Sequence, residues 1–312
     1  MNEIGSYTPE FVVRARALVP TCKCGSCAQT PALISHAWSN QVRHSALLEC
    51  ETVSREMLFV PDALNLYEEV TKGKEGEPLC IWQNNANQGC INLLLVDGLS
   101  IPERLYAIGV LLSMVSSGAN ESRDESVPLL AAQNLLQLIE RGEVQAKFAE
   151  QPDIVRYKIS YLRAMGKLPL RIDQLGLRAS MGLSLKLNEM RVMSDDYLVD
   201  FLREMEQTHA DASALANYER GWINYLLYRC FHDVFPGAEC EGYGRAYLGL
   251  CLDYFCMNSL FSLLATTGVE LDTDASCAVV STWCRVGRPH LGREDHAVDP
   301  LLVGFSLLNV SL

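Results

Sequence analysis

The stretch YGRAYLGLCLDYFCMNSLFSLLAT, residues 243–266, decides the fold. It belongs to the most apolar part of the chain and is expected to form a long helix. Asp253, Asn258 and Ser259 interrupt its apolar run, so no membrane span is expected there. Residues 214–235 form a second long helical pattern, separated from the first by Pro236-Gly237. Downstream, residues 274–286 predict a helix ending at Gly287 and Pro289, and the apolar tail 300–312 suits a last helix or strand.

The same reading extends upstream. Ser100 and Glu103 have capping-box spacing ahead of Leu105, Ile108, Leu112 and Val115 on one helical face. Ser126 is placed to cap the next run, which stops at Gly142. Pro152-Asp153 opens another, and Ser194 with Asp195 and Asp196 suits the positive end of a fourth. Alternating patterns are scarce, with 90–97 and 168–172 the strand candidates. The expectation is a mainly α fold. It comprises a multi-helix bundle over residues 61–312 and, before it, a short irregular cysteine-containing segment, residues 1–60.

The 312 residues carry 26 Lys plus Arg against 38 Asp plus Glu, a net charge of −12. With 49% hydrophobic and 21% charged residues, disorder of the whole chain is excluded. Such an acidic chain would be repelled by phosphate backbones, and no dense basic cluster offsets that, so nucleic acid is not an expected partner. The opening MNEIGSYTPEFVVRARALVP places Glu3, Glu10 and two arginines where a signal peptide needs an apolar run. A cytoplasmic protein is expected, with no membrane partner, and its 12 cysteines are not a disulfide framework.

Cys22-Lys-Cys24-Gly-Ser-Cys27 is the sharpest local feature. Three thiols within six residues suit thiolate ligation of zinc or of an iron–sulfur cluster. A closed site needs a fourth ligand; Cys50 is the nearest cysteine, and His36 or His44 could substitute on zinc. The plain alternative is a reduced thiol cluster without metal. Cys230, Cys251 and Cys256 lie in apolar runs and suit core packing. Cys80 and Cys90 flank IWQNNANQG, which looks like a polar turn, and His232-Asp233 suits a hydrogen-bonding role. The phosphate-loop, GxSxG and HExxH signatures are absent, and Gly242-Tyr-Gly244 lacks the strand and third glycine of a dinucleotide site.

Three stretches, taken together, resemble the flagellin lysine-N-methylase (FliB) family. The first runs from Leu48 through Cys50 and Arg55 to Pro61-Asp62-Ala-Leu64, with Glu49 and Glu51 where the family has Ser and Pro. The second is Leu99-Ser-Ile-Pro-Glu103-Arg104-Leu105, continuing to Gly109-Val-Leu111. The third is Asn224-Tyr225-Leu226 continuing through Phe231 to Phe235-Pro236, followed by Arg285 and His290. Tyr7-Thr-Pro-Glu-Phe11, ahead of the cysteine group, is similar to the family's opening. The family's cysteine-rich region is longer, whereas here Cys27 runs almost directly into Ala28–Asn40.

The resemblance implies a cytoplasmic protein-lysine N-methyltransferase acting on flagellin. It also implies S-adenosylmethionine as cofactor and a [4Fe–4S] cluster, whose ligands here could only be Cys22, Cys24, Cys27 and Cys50, with zinc the alternative metal. No catalytic residue is assigned; Tyr218, Tyr225, Tyr228, Tyr243 and Tyr247 are equal candidates, and helical spacing makes them core residues first. A rival expectation is a non-catalytic helical relative that acts as a binding scaffold with at most a structural metal.

Overall fold

The computed structural model describes residues 3–73, 75–118, 124–212, 218–237, 242–291 and 298–309. In chain order its elements begin with β1 (Glu3–Pro9), α1 (Glu10–Leu18), β2 (Leu33–Ala37), β3 (Gln41–Ala46), α2 (Glu51–Leu58) and β4 (Leu66–Lys72). Next come α3 (Ile81–Leu94), α4 (Ile101–Gly118), α5 (Val127–Glu140), α6 (Glu143–Ala149), α7 (Val155–Met165), α8 (Gly176–Val192) and α9 (Asp195–Ala212). The last are α10 (Tyr218–His232), α11 (Tyr243–Thr266), α12 (Thr273–Thr282), α13 (Arg288–Leu291) and α14 (Pro300–Leu308). The mainly α expectation holds. The chain divides into two compact units, one of Met1–Ala149 with Arg220–Tyr247, the other of Glu150–Glu219 with Leu248–Leu312.

The first unit contains a four-stranded sheet of order β2-β3-β1-β4 that the sequence pattern did not announce. β1 pairs parallel to β3, with Gly5 opposite Gln41, and antiparallel to β4 over its whole length; β2 and β3 form an antiparallel hairpin. Its alternation is concealed by polar residues. The inward positions of β1 are Ile4, Ser6 and Thr8, β3 buries Arg43 and Ser45 beside Val42 and Ala46, and edge strand β4 is almost wholly exposed. The two strand candidates are corrected: 90–97 is the end of α3 and a turn, and 168–172 has no strand.

IWQNNANQG is likewise not a turn but most of α3. Its buried face carries Gln83, Asn87 and Gly89 among Ala86, Cys90, Leu93 and Leu94, so polarity masked the helical period. The amides are paired. Asn87 Nδ2 donates to the Cys230 and Phe235 carbonyls, both at 2.8 Å, and Gln83 Nε2 to the Val234 carbonyl at 3.4 Å. At Gly89 a Cβ would stand 3.1 Å from Leu111 and 3.2 Å from Ala132, so the glycine lets α3 pack closely on α4 and α5.

The capping box forms: the Ser100 amide and hydroxyl each donate to Glu103 at 2.7 Å. Ser126 occupies the N-cap position of α5, but its hydroxyl donates to Asp124 at 2.8 Å instead of capping. The tail forms α14, capped by Asp299, which accepts from the Leu301 amide at 2.9 Å. Residues 214–217 and 310–312, included in the helical and tail patterns, lie outside the described residues.

In the second unit, α11 meets the length and composition of a membrane span, yet 89% of its most apolar window is buried inside the protein. Its Asp253 is 1% exposed and accepts from the Trp283 indole N–H at 2.8 Å. The helix beyond α12 does not stop at Gly287. It passes through one π-turn (Trp283–Gly287) into α13, and a Cβ at Gly287 would lie 2.1 Å from the Trp283 ring. Lys158 of α7 is fully buried and donates to Glu206 of α9 at 3.0 Å and to the Asn309 carbonyl, with Asp153 at 3.2 Å. Removing the cation would leave the mostly buried Glu206 carboxylate without its ammonium partner, at a position where Lys158 itself is shielded from water. Lys158→Met is therefore expected to lower unfolding stability by about 3 kcal/mol. Lys186→Met, which breaks an exposed pair with Glu189, should change it by less than about 0.5 kcal/mol. Urea unfolding of both variants checks the contrast.

Candidate metal centre

The cysteine site is assembled from two connections in the first unit. After α1 a single 3-10 turn, Val19–Thr21, closes with the Cys22 amide donating to the Val19 carbonyl at 3.0 Å. The chain then turns back, with the Cys27 amide donating to Cys24 Sγ at 3.4 Å and the Ala28 amide to the Cys24 carbonyl at 3.3 Å. The other connection joins β3 to α2. Its Cys50 amide donates to the Leu47 carbonyl at 3.2 Å, and Cys50 is the N-cap residue of α2. The Ser54 hydroxyl ties the turn to the Leu48 carbonyl at 2.6 Å.

The four sulfurs of Cys22, Cys24, Cys27 and Cys50 lie within 4.8 Å of one another, and Cys22 Sγ is 3.7 Å from Cys50 Sγ. Cys50 is fully buried and the other three are half-buried. Among the described residues this is the group of His, Cys, Asp and Glu side chains that could hold a metal ion. Neither histidine considered as a substitute belongs to it. His44 Nδ1 is hydrogen-bonded to the Ser35 hydroxyl at 2.8 Å, and His36 packs edge-on against His232 with centroids 5.5 Å apart.

The thiols are electrostatically unequal. Burial pushes Cys22 up, but hydrogen bonds from the Thr52 hydroxyl, the Cys24 backbone and the neighbouring thiols outweigh it and bring it down to about 7. Burial raises Cys50, against a backbone hydrogen bond from Val53 at the start of α2. Burial and the other thiols raise Cys27. Four sulfurs this close together form a group that could hold a metal ion.

The other predicted residues are placed apart from this group. Cys230, Cys251 and Cys256 are buried in helices, and Cys80 is exposed while Cys90 is buried. His232 does take a hydrogen-bonding role, its Nδ1 2.8 Å from the Ser45 hydroxyl with the Tyr228 ring stacked on it at 4.7 Å. Tyr225, Tyr228, Tyr243 and Tyr247 are core residues, 3% exposed or less. Tyr218 donates from its hydroxyl to Asn258 at 2.5 Å.

Two residues that the spacing could not assign hold the Cys50 connection from α10. Asn224 donates to the Met57 and Leu58 carbonyls at 3.1 and 3.0 Å, at the end of α2. The Tyr228 hydroxyl donates to the Ala46 carbonyl at 3.0 Å, at the end of β3.

A model of the FliB lysine N-methylase C-terminal domain matches residues 87–287. The chain belongs to the FliB lysine N-methylase family. No curated protein and no solved structure matches it. The matched stretch begins after Cys50, so the family match covers α10 and its two anchoring residues but not Cys22, Cys24, Cys27 or Cys50. Of the family-like positions, Glu103 serves the capping box. Buried Arg104 donates to the Leu94 and Leu99 carbonyls, joining the end of α3 to α4.

In the second unit a small open cleft is lined by Leu202, Glu206, Tyr254, Asn258, Ser262 and Leu308, among others. Its carboxylate, Glu206, is already held by Lys158.

The Thr52 hydroxyl, 3.4 Å from Cys22 Sγ, supplies the outer support that orients a thiolate ligand. Thr52→Val is expected to weaken metal binding about tenfold. Replacing His44 with Ala should leave it unchanged; competition with a chromophoric chelator measures both.

Proposed function

We propose that the chain is a protein-lysine N-methyltransferase that uses S-adenosylmethionine and acts on flagellin in the cytoplasm. The observation that carries this reading is the family match over residues 87–287, joined to a cysteine group gathered where the resemblance expects a metal. S-adenosylmethionine supplies a methyl group made electrophilic by its bond to a sulfonium. The protein's share is to present a lysine whose nitrogen lone pair is free. At pH 7 only about one exposed lysine in a few thousand is neutral. A site that strips water from the incoming ammonium lowers its pKa and removes that limitation. With S-adenosylmethionine bound, the chain's own share would be to hold the lysine nitrogen unprotonated beside the methyl group and to give the proton it loses a route to solvent.

The resemblance also implies an iron–sulfur cluster on Cys22, Cys24, Cys27 and Cys50. Their grouping supports a thiolate-bound metal, and no part of the methyl transfer is drawn through it. A second reading is favoured by the burial of Tyr225, Tyr228, Tyr243 and Tyr247, which leaves none of them in an open site. In that reading the chain is a non-catalytic family member that binds a partner through its helical surface.

The test is transfer of isotopically labelled methyl from S-adenosylmethionine to purified flagellin by the purified full-length chain. Peptide mass mapping is expected to show single-methyl increments on lysines, abolished when the lysines are chemically blocked beforehand. Folded protein that transfers no label, together with undiminished flagellin methylation in cells lacking the gene, would leave the scaffold reading in its place.

A further inference from the structure

We infer that Cys22, Cys24, Cys27 and Cys50 close around a single tetrahedral zinc ion rather than an iron–sulfur cluster. The argument is the spacing of the sulfurs. Four thiolates bound to one zinc at about 2.3 Å occupy the corners of a tetrahedron whose edges are about 3.8 Å. In a [4Fe–4S] cluster each thiolate has its own iron, which drives the ligand sulfurs to roughly 6 Å from one another. Here the Cys22 and Cys50 sulfurs are 3.7 Å apart and no pair in the group exceeds 4.8 Å. That is the size of one ion.

The local chain supports the same size. Cys24-Gly-Ser-Cys27 has the C-x2-C spacing of a zinc turn, and the Cys27 amide points at Cys24 Sγ. Separating the sulfurs to suit a cluster would draw Cys22 away from the Thr52 hydroxyl. It would also move Cys50 from a turn held by Ser54 and the start of α2.

The donor set is complete as well. Four protein thiolates fill the four positions of tetrahedral zinc, so no position is left for water, a methyl donor or a substrate. The ion therefore fastens the 22–27 loop to the connection between β3 and α2, cross-linking residues 28 positions apart. This inference rests on the sulfur spacing and the chain that holds the thiols, and stands or falls separately from methyl transfer.

The full-length chain, produced with both iron and zinc supplied and purified without oxygen, is assayed for metals and acid-labile sulfide, with neither flagellin nor S-adenosylmethionine present. One zinc per chain, no sulfide and a colourless solution are expected. X-ray absorption at the zinc edge should show sulfur neighbours only, at about 2.3 Å. Cobalt exchanged into the site should give the intense visible bands of a tetrahedral tetrathiolate. Cys24→Ser, at the half-buried side, should convert that spectrum to a three-sulfur form, and Cys80→Ser should retain one zinc per chain. Should Cys24→Ser fail to fold, the metal count and absorption edge of the unaltered chain still decide. Iron with matching sulfide and a broad band near ~400 nm would overturn the inference, as would a folded chain that takes up neither zinc nor cobalt.

Discussion

A buried backbone carbonyl must find a donor, and around α10 that requirement organises the first unit. The Asn224 amide satisfies the carbonyls at the end of α2, the Tyr228 hydroxyl satisfies the end of β3, and Asn87 of α3 reaches the carbonyls of Cys230 and Phe235. Each bond contributes about 1 kcal/mol net, but losing one strands a buried acceptor at a cost of about 1–3 kcal/mol. The connection from β3 to α2, with Cys50 in it, is thereby held at both ends. The fourth cysteine of the group is held in place by a helix that adds no thiol to it.

This explains why the family-like stretches belong together although they are far apart in the chain. The stretch around Cys50 and α2 and the stretch beginning at Asn224 meet through those carbonyls. Gly221 extends the contact: a Cβ there would stand 3.3 Å from the Phe59 ring beyond α2. What the two share is a joint in the scaffold. Asn224, Tyr228 and Arg104 are accounted for by the backbone groups they satisfy, with no catalytic role needed to explain them.

The long helices were legible because their inward faces are apolar and their ends carry chemistry that caps them, as at Ser100 and Glu103. The sheet was not, because the inward side of β1 holds Ser6 and Thr8, β3 buries Arg43, and β4 is an exposed edge strand whose alternation separates nothing. Arg43 shows why such a residue can be inward: its guanidinium reaches Asn84, Asn87 and the Phe231 carbonyl at 3.3–3.4 Å. A polar face that pairs with polar partners looks, in sequence, like a solvated one. The same ambiguity concealed α3, where Gln83 and Asn87 occupy core positions.

The cysteine group was the most legible part of the candidate site, since three of its thiols lie within six residues and turn geometry constrains them locally. Cys50 was the nearest further cysteine, but its selection over His36 and His44, which lie closer in the chain, depends on long-range packing. Both histidines sit in the hairpin strands, held by Ser35 and by the His232 ring, whereas Cys50 stands at the N-cap position of α2 with its sulfur beside that of Cys22. Sulfur spacing adds what composition could not. Four cysteines in a sequence are equally compatible with one ion or a cluster, and only their separation distinguishes a closed structural clamp from a larger inorganic core. A clamp of that kind is consistent with methyl transfer taking place elsewhere on the scaffold, because a metal with every position filled by protein can hold a fold together without taking part in its chemistry.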